Sequence, residues 1–131
     1  MNPPVLRLPS LSDYFILETD ASDGGIGCCL KAVSENDEEF IVSYYSSKLN
    51  PTEFRWNIVE KETYAIIKGV EKYRHYLIGK QFTLKTDNRI LTYLKSTHTS
   101  KSRKLLNWAL RLSEYQYNST FLQVIIKLVT V

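Results

Sequence analysis

The stretch FILETDASDGG, Phe15 to Gly25, decides how this chain is read. Its aromatic and aliphatic residues, with Tyr14 before them, form a short block of strand composition that runs to Thr19. Asp23-Gly24-Gly25 is a tight-turn signal. Between strand and turn stands an acid, Asp20, where the apolar run stops. Such an acid is either a turn residue or a metal ligand carried on a rigid sheet.

Working outward, Ile26 to Val33 reads as the returning strand, Ser34 to Glu39 as a polar loop, and Phe40 to Ser46 as a third strand. A long helix is expected from Thr52 to Ile78, because Val59, Ile66, Val70, Tyr73 and Leu77 share one stripe at helical spacing. Gly79 closes it. Phe82 to Thr86 alternates like a strand and again ends on an acid, Asp87. Asn88 to Lys95 and Lys101 to Glu114 read as helices, the second with Leu105, Trp108 and Leu112 on one face. Tyr115 to Ile126 returns to strand composition. The order βββαβααβ implies a three-stranded meander, then crossovers that lay later strands parallel to the first, in a mixed α/β sheet.

The totals fit one domain. The 131 residues are 44% hydrophobic and 24% charged, with net charge +3, which is compatible with a polyanionic partner. Residues 1–13 form a proline-marked lead-in resembling a connector, 14–126 the domain, and 127–131 a divergent tail. No signal peptide is visible, and the apolar run FLQVIIKLVTV is shorter than a bilayer span and carries Gln123 and Lys127. An intracellular protein, cytoplasmic or nuclear, is expected, with Cys28 and Cys29 reduced. Adjacent strand residues face opposite ways, so these two cysteines are poor partners for each other.

If the strands ending at Asp20 and Asp87 are parallel neighbours, both carboxylates stand at one edge of the sheet. The long helix offers Glu60 and Glu62 as a third acid. At about 100° per residue, Glu62 lies nearer the apolar stripe, and Glu60 turns toward water. Clustered carboxylates repel one another unless a cation neutralises them. All-oxygen ligands select hard ions such as Mg²⁺ or Mn²⁺, and such ions support phosphodiester hydrolysis. The bland alternative is that these acids cap loops and meet solvent.

Several blocks resemble the RNase H domain of reverse transcriptases from gypsy-type LTR retrotransposons. They are PPVLRLPSLSDYFILETDASDGGIG, FIVSYYSSKLNPTEFRWNIVEKETYAII, VEKYRHYLIGKQFTLKTDNRILTYL and SRKLLNWALRLSEYQY. The resemblance implies a mixed five-stranded sheet, three antiparallel strands then two parallel, with helices on both faces. It implies cleavage of RNA in RNA–DNA hybrids by carboxylates around two divalent ions. Carried over by position, Asp20, Glu62 and Asp87 are the catalytic metal ligands. The hybrid is the expected partner, and fusion to polymerase and integrase domains the expected origin.

The pattern departs at the end. The family's fourth aspartate has no counterpart, since no acid follows Glu114. The tail reads either as an extension of the last strand or as a frameshifted end. Weakened activity is therefore expected, with an inactive hybrid-binding remnant as the alternative. An integrase-like core would need a late helical glutamate, for which Glu114 is poorly placed.

Arg89, Lys101, Lys104 and Arg111 are candidate phosphate contacts, although a charge run on a helix is usually a solvated face. Trp56 and Trp108 read as packing residues, and His75 and His98 as isolated.

Overall fold

A computed structural model of the chain describes residues 5–87 and 103–121. The expected helix Asn88–Lys95, Arg89, His98, Lys101 and the tail beyond Phe121 lie outside those residues.

Strands β1 (Tyr14–Ala21), β2 (Gly25–Val33) and β3 (Glu39–Lys48) form an antiparallel meander. Strands β4 (Gln81–Thr86) and β5 (Gln116–Phe121) run parallel to β1, giving the sheet order β3-β2-β1-β4-β5. The five-stranded mixed sheet expected from the sequence is therefore present. The helices among the described residues are α1 (Pro51–Phe54), α2 (Ile58–Lys72), α3 (Arg74–Leu77) and α4 (Arg103–Leu112). No helix among the described residues is long and apolar enough to cross a membrane.

Alternation builds the core. Phe15 and Leu17 of β1, Cys28, Leu30 and Ala32 of β2, and Phe82 and Leu84 of β4 all join one buried cluster. Into that cluster α2 sends Ile66, Ile67 and Val70, α3 sends Leu77, and α4 sends Leu105, Trp108 and Leu112. These helices share one face of the sheet. The other face carries Glu18, Asp20, Gly27, Cys29, Lys31 and Lys85 by the same alternation.

The expected continuous helix over 52–78 is broken in two places. Asn50 and Glu53 form one capping box, and Asn57 and Glu60 form a second, so the chain stops after Phe54 and restarts at Ile58. A side chain that satisfies the orphan amides of a new first turn competes with continuation of the old helix. The second break is at Tyr73, whose backbone (φ −107°, ψ 23°) leaves the α region. Gly79 closes the segment at φ +76°, which needs glycine.

The lead-in lies against the β3 edge. Leu6 bridges Ile41 in parallel, the Arg7 amide donates to Ile41 O at 3.0 Å, and the Arg7 guanidinium pairs with Glu38 over the Phe40 ring.

Gly69 sets how close α2 comes to the sheet. A Cβ there would meet Cys28 Sγ at 3.1 Å, Leu17 Cδ2 at 3.2 Å and Thr19 Cγ2 at 3.4 Å. Gly69→Val drives two further methyls into these atoms and is expected to lower stability by about 2 kcal/mol, the usual scale of overpacking. Urea unfolding measures it. Unchanged stability would mean that α2 rides higher on the sheet than described.

Candidate active site

The β1–β4 pairing runs Ile16↔Thr83, Leu17↔Leu84 and Glu18↔Lys85. Continued by two steps, it sets Thr19 level with Thr86 and Asp20 level with Asp87, on strands about 4.8 Å apart. The parallel register thus brings the two predicted aspartates to the same end of the sheet. Asp20 is exposed and Asp87 half-buried. The threonines before them point into the core, 6% and 0% exposed. Their Oγ1 atoms are buried and find no hydrogen-bond partner among the described residues.

On the other side, Asp20 pairs with Gly27 of β2. Glycine there puts no side chain beside the carboxylate. Asp20, Gly27 and Ser46 line both of two adjoining open grooves. One, of about 470 Å³, continues to Ser22, Gly25 and Lys48; the other, of about 580 Å³, continues to Glu18, Cys29, Tyr44 and Lys85.

Glu62 lies in the second turn of α2, on the helix layer, and is 6% exposed. Glu62 is thus more buried than Glu60, which is half-buried. Asp20 lies near the end of β1 and Asp87 one residue past the neighbouring parallel strand β4, while Glu62 belongs to α2. Among the described residues, no three His, Cys, Asp or Glu side chains gather closely enough to hold an ion. The donor chemistry fits a hard cation, since all three groups are carboxylates.

Glu60 does not face water as expected. It accepts from the Asn57 amide at 3.1 Å and pairs with Lys104 Nζ at 2.8 Å. Burial pushes its carboxyl up, but the hydrogen bonds from Lys104 and Asn57 and the Lys104 charge outweigh burial and hold it below the ordinary value. A carboxyl whose pKa is lower in the folded state stabilises the fold fully above its unfolded pKa. That stability is lost as pH falls through the folded pKa. Lys104→Ala is therefore expected to cost more stability at pH 7 than at a pH low enough to protonate Glu60 in both the folded and unfolded states. Equal costs at both pH values, from urea unfolding, would contradict the coupling.

Lys104 is also 3.9 Å from the Trp56 ring centroid and 5.6 Å from that of Trp108. Arg111 pairs with Glu71 at 2.5 Å. The two described phosphate candidates are thus engaged with α2 and its aromatic cluster. Trp56, Tyr64 and Trp108 pack with centroids 5.1–5.8 Å apart, in keeping with a packing role for both tryptophans.

Beside Asp20, Glu18 accepts from Lys31 Nζ at 3.1 Å and lies 3.7 Å from Lys85 Nζ. Burial works against the Lys31 ammonium, yet the hydrogen bond and charge of Glu18 raise its pKa overall. Burial, helped by neighbouring Cys29, pushes the Cys28 thiol up to about 12, consistent with packing. Sequence reading missed Gly27 and Lys85 as neighbours of Asp20. The Asp23-Gly24 turn held the signal, because the hairpin it closes fixes the pairing of Asp20 with Gly27.

The family model for the RNase H-like domain found in reverse transcriptase matches residues 10–115. The retrovirus-related Pol polyprotein from transposon 297 of Drosophila melanogaster is 36% identical over 92% of this chain. The chain spans 11% of that polyprotein's length. Among solved structures, the foamy viral protease-reverse transcriptase in complex with RNA/DNA hybrid superposes with a TM-score of 0.66 at 13% identity, over 88% of this chain and 16% of that one. RNase H1 from the archaeon Halobacterium salinarum gives a TM-score of 0.56 at 14% identity, covering 84% of each chain.

Proposed function

Because this chain belongs to the family of RNase H-like domains found in reverse transcriptases, we propose that it hydrolyses the RNA strand of RNA–DNA hybrids with Mg²⁺ or Mn²⁺. The observation that carries the reading is the parallel pairing of β1 with β4, whose register, carried two residues past Glu18↔Lys85, would set Asp20 beside Asp87. Two carboxylates about one strand spacing apart repel each other, and a divalent cation removes that penalty. Asp20 and Asp87 are the ligands at the sheet end, and Glu62 is the third, supplied from the α2 layer. When bound, such ions make water a stronger nucleophile at neutral pH and steady the leaving oxygen of a phosphodiester.

The chain's own residues do the rest. Strand β1 holds Asp20 in its antiparallel ladder with β2, opposite Gly27. Gly27 leaves the space beside it open to a polynucleotide strand. Lys48 and Lys85 stand along the two grooves that meet at Asp20, where their charges favour a polyanion. The foamy viral neighbour, whose structure holds an RNA/DNA hybrid, supports the same substrate class.

A second reading is a domain that binds hybrid without cutting it; among the described residues, no three His, Cys, Asp or Glu side chains gather closely enough to hold an ion, which favours it.

The two readings separate in one assay. The chain is incubated with a hybrid labelled on its RNA strand, with Mg²⁺ or Mn²⁺, beside all-DNA and all-RNA duplexes. RNA fragments from the hybrid alone support the nuclease. A shifted but uncut hybrid supports the binding remnant, and neither result from folded protein refutes both.

A further inference from the structure

Lys61 is an unusual residue in this fold. It is 7% exposed, and no acidic side chain pairs with it among the described residues. Buried lysines are rare unless paired, because the ammonium loses its hydration. The Lys61 Nζ instead donates to the backbone carbonyl of Asp23 at 2.9 Å and lies 4.9 Å from the Phe54 ring centroid. One end of this side chain is thus in the first turns of α2, next to Glu62. The other end holds the turn that follows Asp20.

That turn is held from two further directions. The Ser22 amide donates to Gly25 O at 2.8 Å, and the Leu49 amide donates to Gly24 O at 2.9 Å. Among the described residues, the Lys61 bond ties the turn to the helix layer. Asp20 comes from the sheet and Glu62 from α2, so the spacing between these two carboxylates depends on how the β1–β2 turn sits against the start of α2. Lys61 spans that junction.

We infer that Lys61 is a positioning residue of the carboxylate site, clamping the β1–β2 turn to α2 so that Asp20 and Glu62 serve the same cation. The inference rests on the metal-dependent reading proposed above. Lys61 touches neither the cation nor the RNA; it acts through the Asp23 carbonyl.

The test compares the full chain with Lys61→Met, Lys61→Gln and Lys61→Arg. Met keeps the buried stem and removes the ammonium. Gln keeps a polar end and serves as the comparison if Met fails to fold. Arg keeps the charge. Two quantities are read: amide hydrogen exchange at Ser22 and Leu49, and Mn²⁺ affinity by calorimetry, with Asp20→Asn as the site control.

The expected result for Met or Gln is faster exchange at both amides and an affinity for Mn²⁺ reduced about tenfold, the scale seen when groups supporting metal ligands are removed. Arg recovers part of both, while thermal melting shows each variant folded. Unchanged exchange and unchanged Mn²⁺ affinity in a folded Met or Gln variant overturn the inference. Faster exchange with unchanged affinity also overturns it, leaving Lys61 a stabiliser of the turn only. Wild-type protein that takes up no Mn²⁺, or takes it up equally well as Asp20→Asn, refutes the metal-site reading itself.

Discussion

Asp20→Asn is expected to lower the rate of hybrid cleavage by at least about 100-fold while leaving the fold intact, since losing a ligand exceeds the 10–100-fold typical of losing its supporting groups. The substitution is nearly isosteric and removes only the charge. Asp20 is exposed and makes no hydrogen bond or ion pair among the described residues, so its carboxylate holds no part of the structure together. An acid that contributes nothing to stability, placed level with a second acid on a rigid strand, makes sense as a ligand. Single-turnover cleavage and urea unfolding of the same preparations give both halves of the result. A rate within a few-fold of wild type, at equal stability, would remove Asp20 from the site. A large loss of stability would make it a structural residue that the described contacts fail to reveal.

Phe82→Ala is expected to cost about 3–5 kcal/mol, the range for deleting a buried aromatic side chain. Phe82 is fully buried in β4, between β1 and β5, and meets the rings of Tyr115 and Tyr117 at 6.4 and 6.3 Å. Strand β4 also delivers Asp87, so the core and the site share one element. Domains of this size are stable by about 5–15 kcal/mol, so the substitution removes a large share of the total. Urea midpoints measure the loss. A cost below about 1 kcal/mol would mean that the β4–β5 side of the sheet adds little to the folded state.

The sheet topology was legible in short-range pattern: FILETD and FTLKTD are apolar runs that stop at an acid, and the Asp-Gly turn marks the first hairpin. The same runs supplied the two candidate aspartates, and helical spacing singled out Glu62 over Glu60 as the candidate from the helix. The breaks in the expected long helix were not legible: the first is made by the Asn57–Glu60 capping box just before the stripe begins, where side chains bond backbone, and the second is a backbone change at Tyr73 inside a stripe whose period is unbroken from Val59 to Leu77. Glu60 was misread for the same reason. Its position on the helix wheel says solvent, whereas its partners, Asn57 and Lys104, come from the N-cap and from a helix distant in sequence. Lys104 and Arg111 looked like free charges because sequence distance hides their acidic partners on α2. Lys61 gave no signal, since a lysine bonded to a backbone carbonyl leaves no complementary residue type to find.

The most direct test of a cation held by Asp20, Asp87 and Glu62 is a titration of Mn²⁺ into isotope-labelled protein, following paramagnetic broadening of backbone amide signals. Selective broadening at Asp20 and Asp87, extending to Glu62 and absent in Asp20→Asn, is the predicted result. Uniform broadening over exposed acids, with Asp20 and Asp87 no more affected than Glu35 or Glu114, would contradict it.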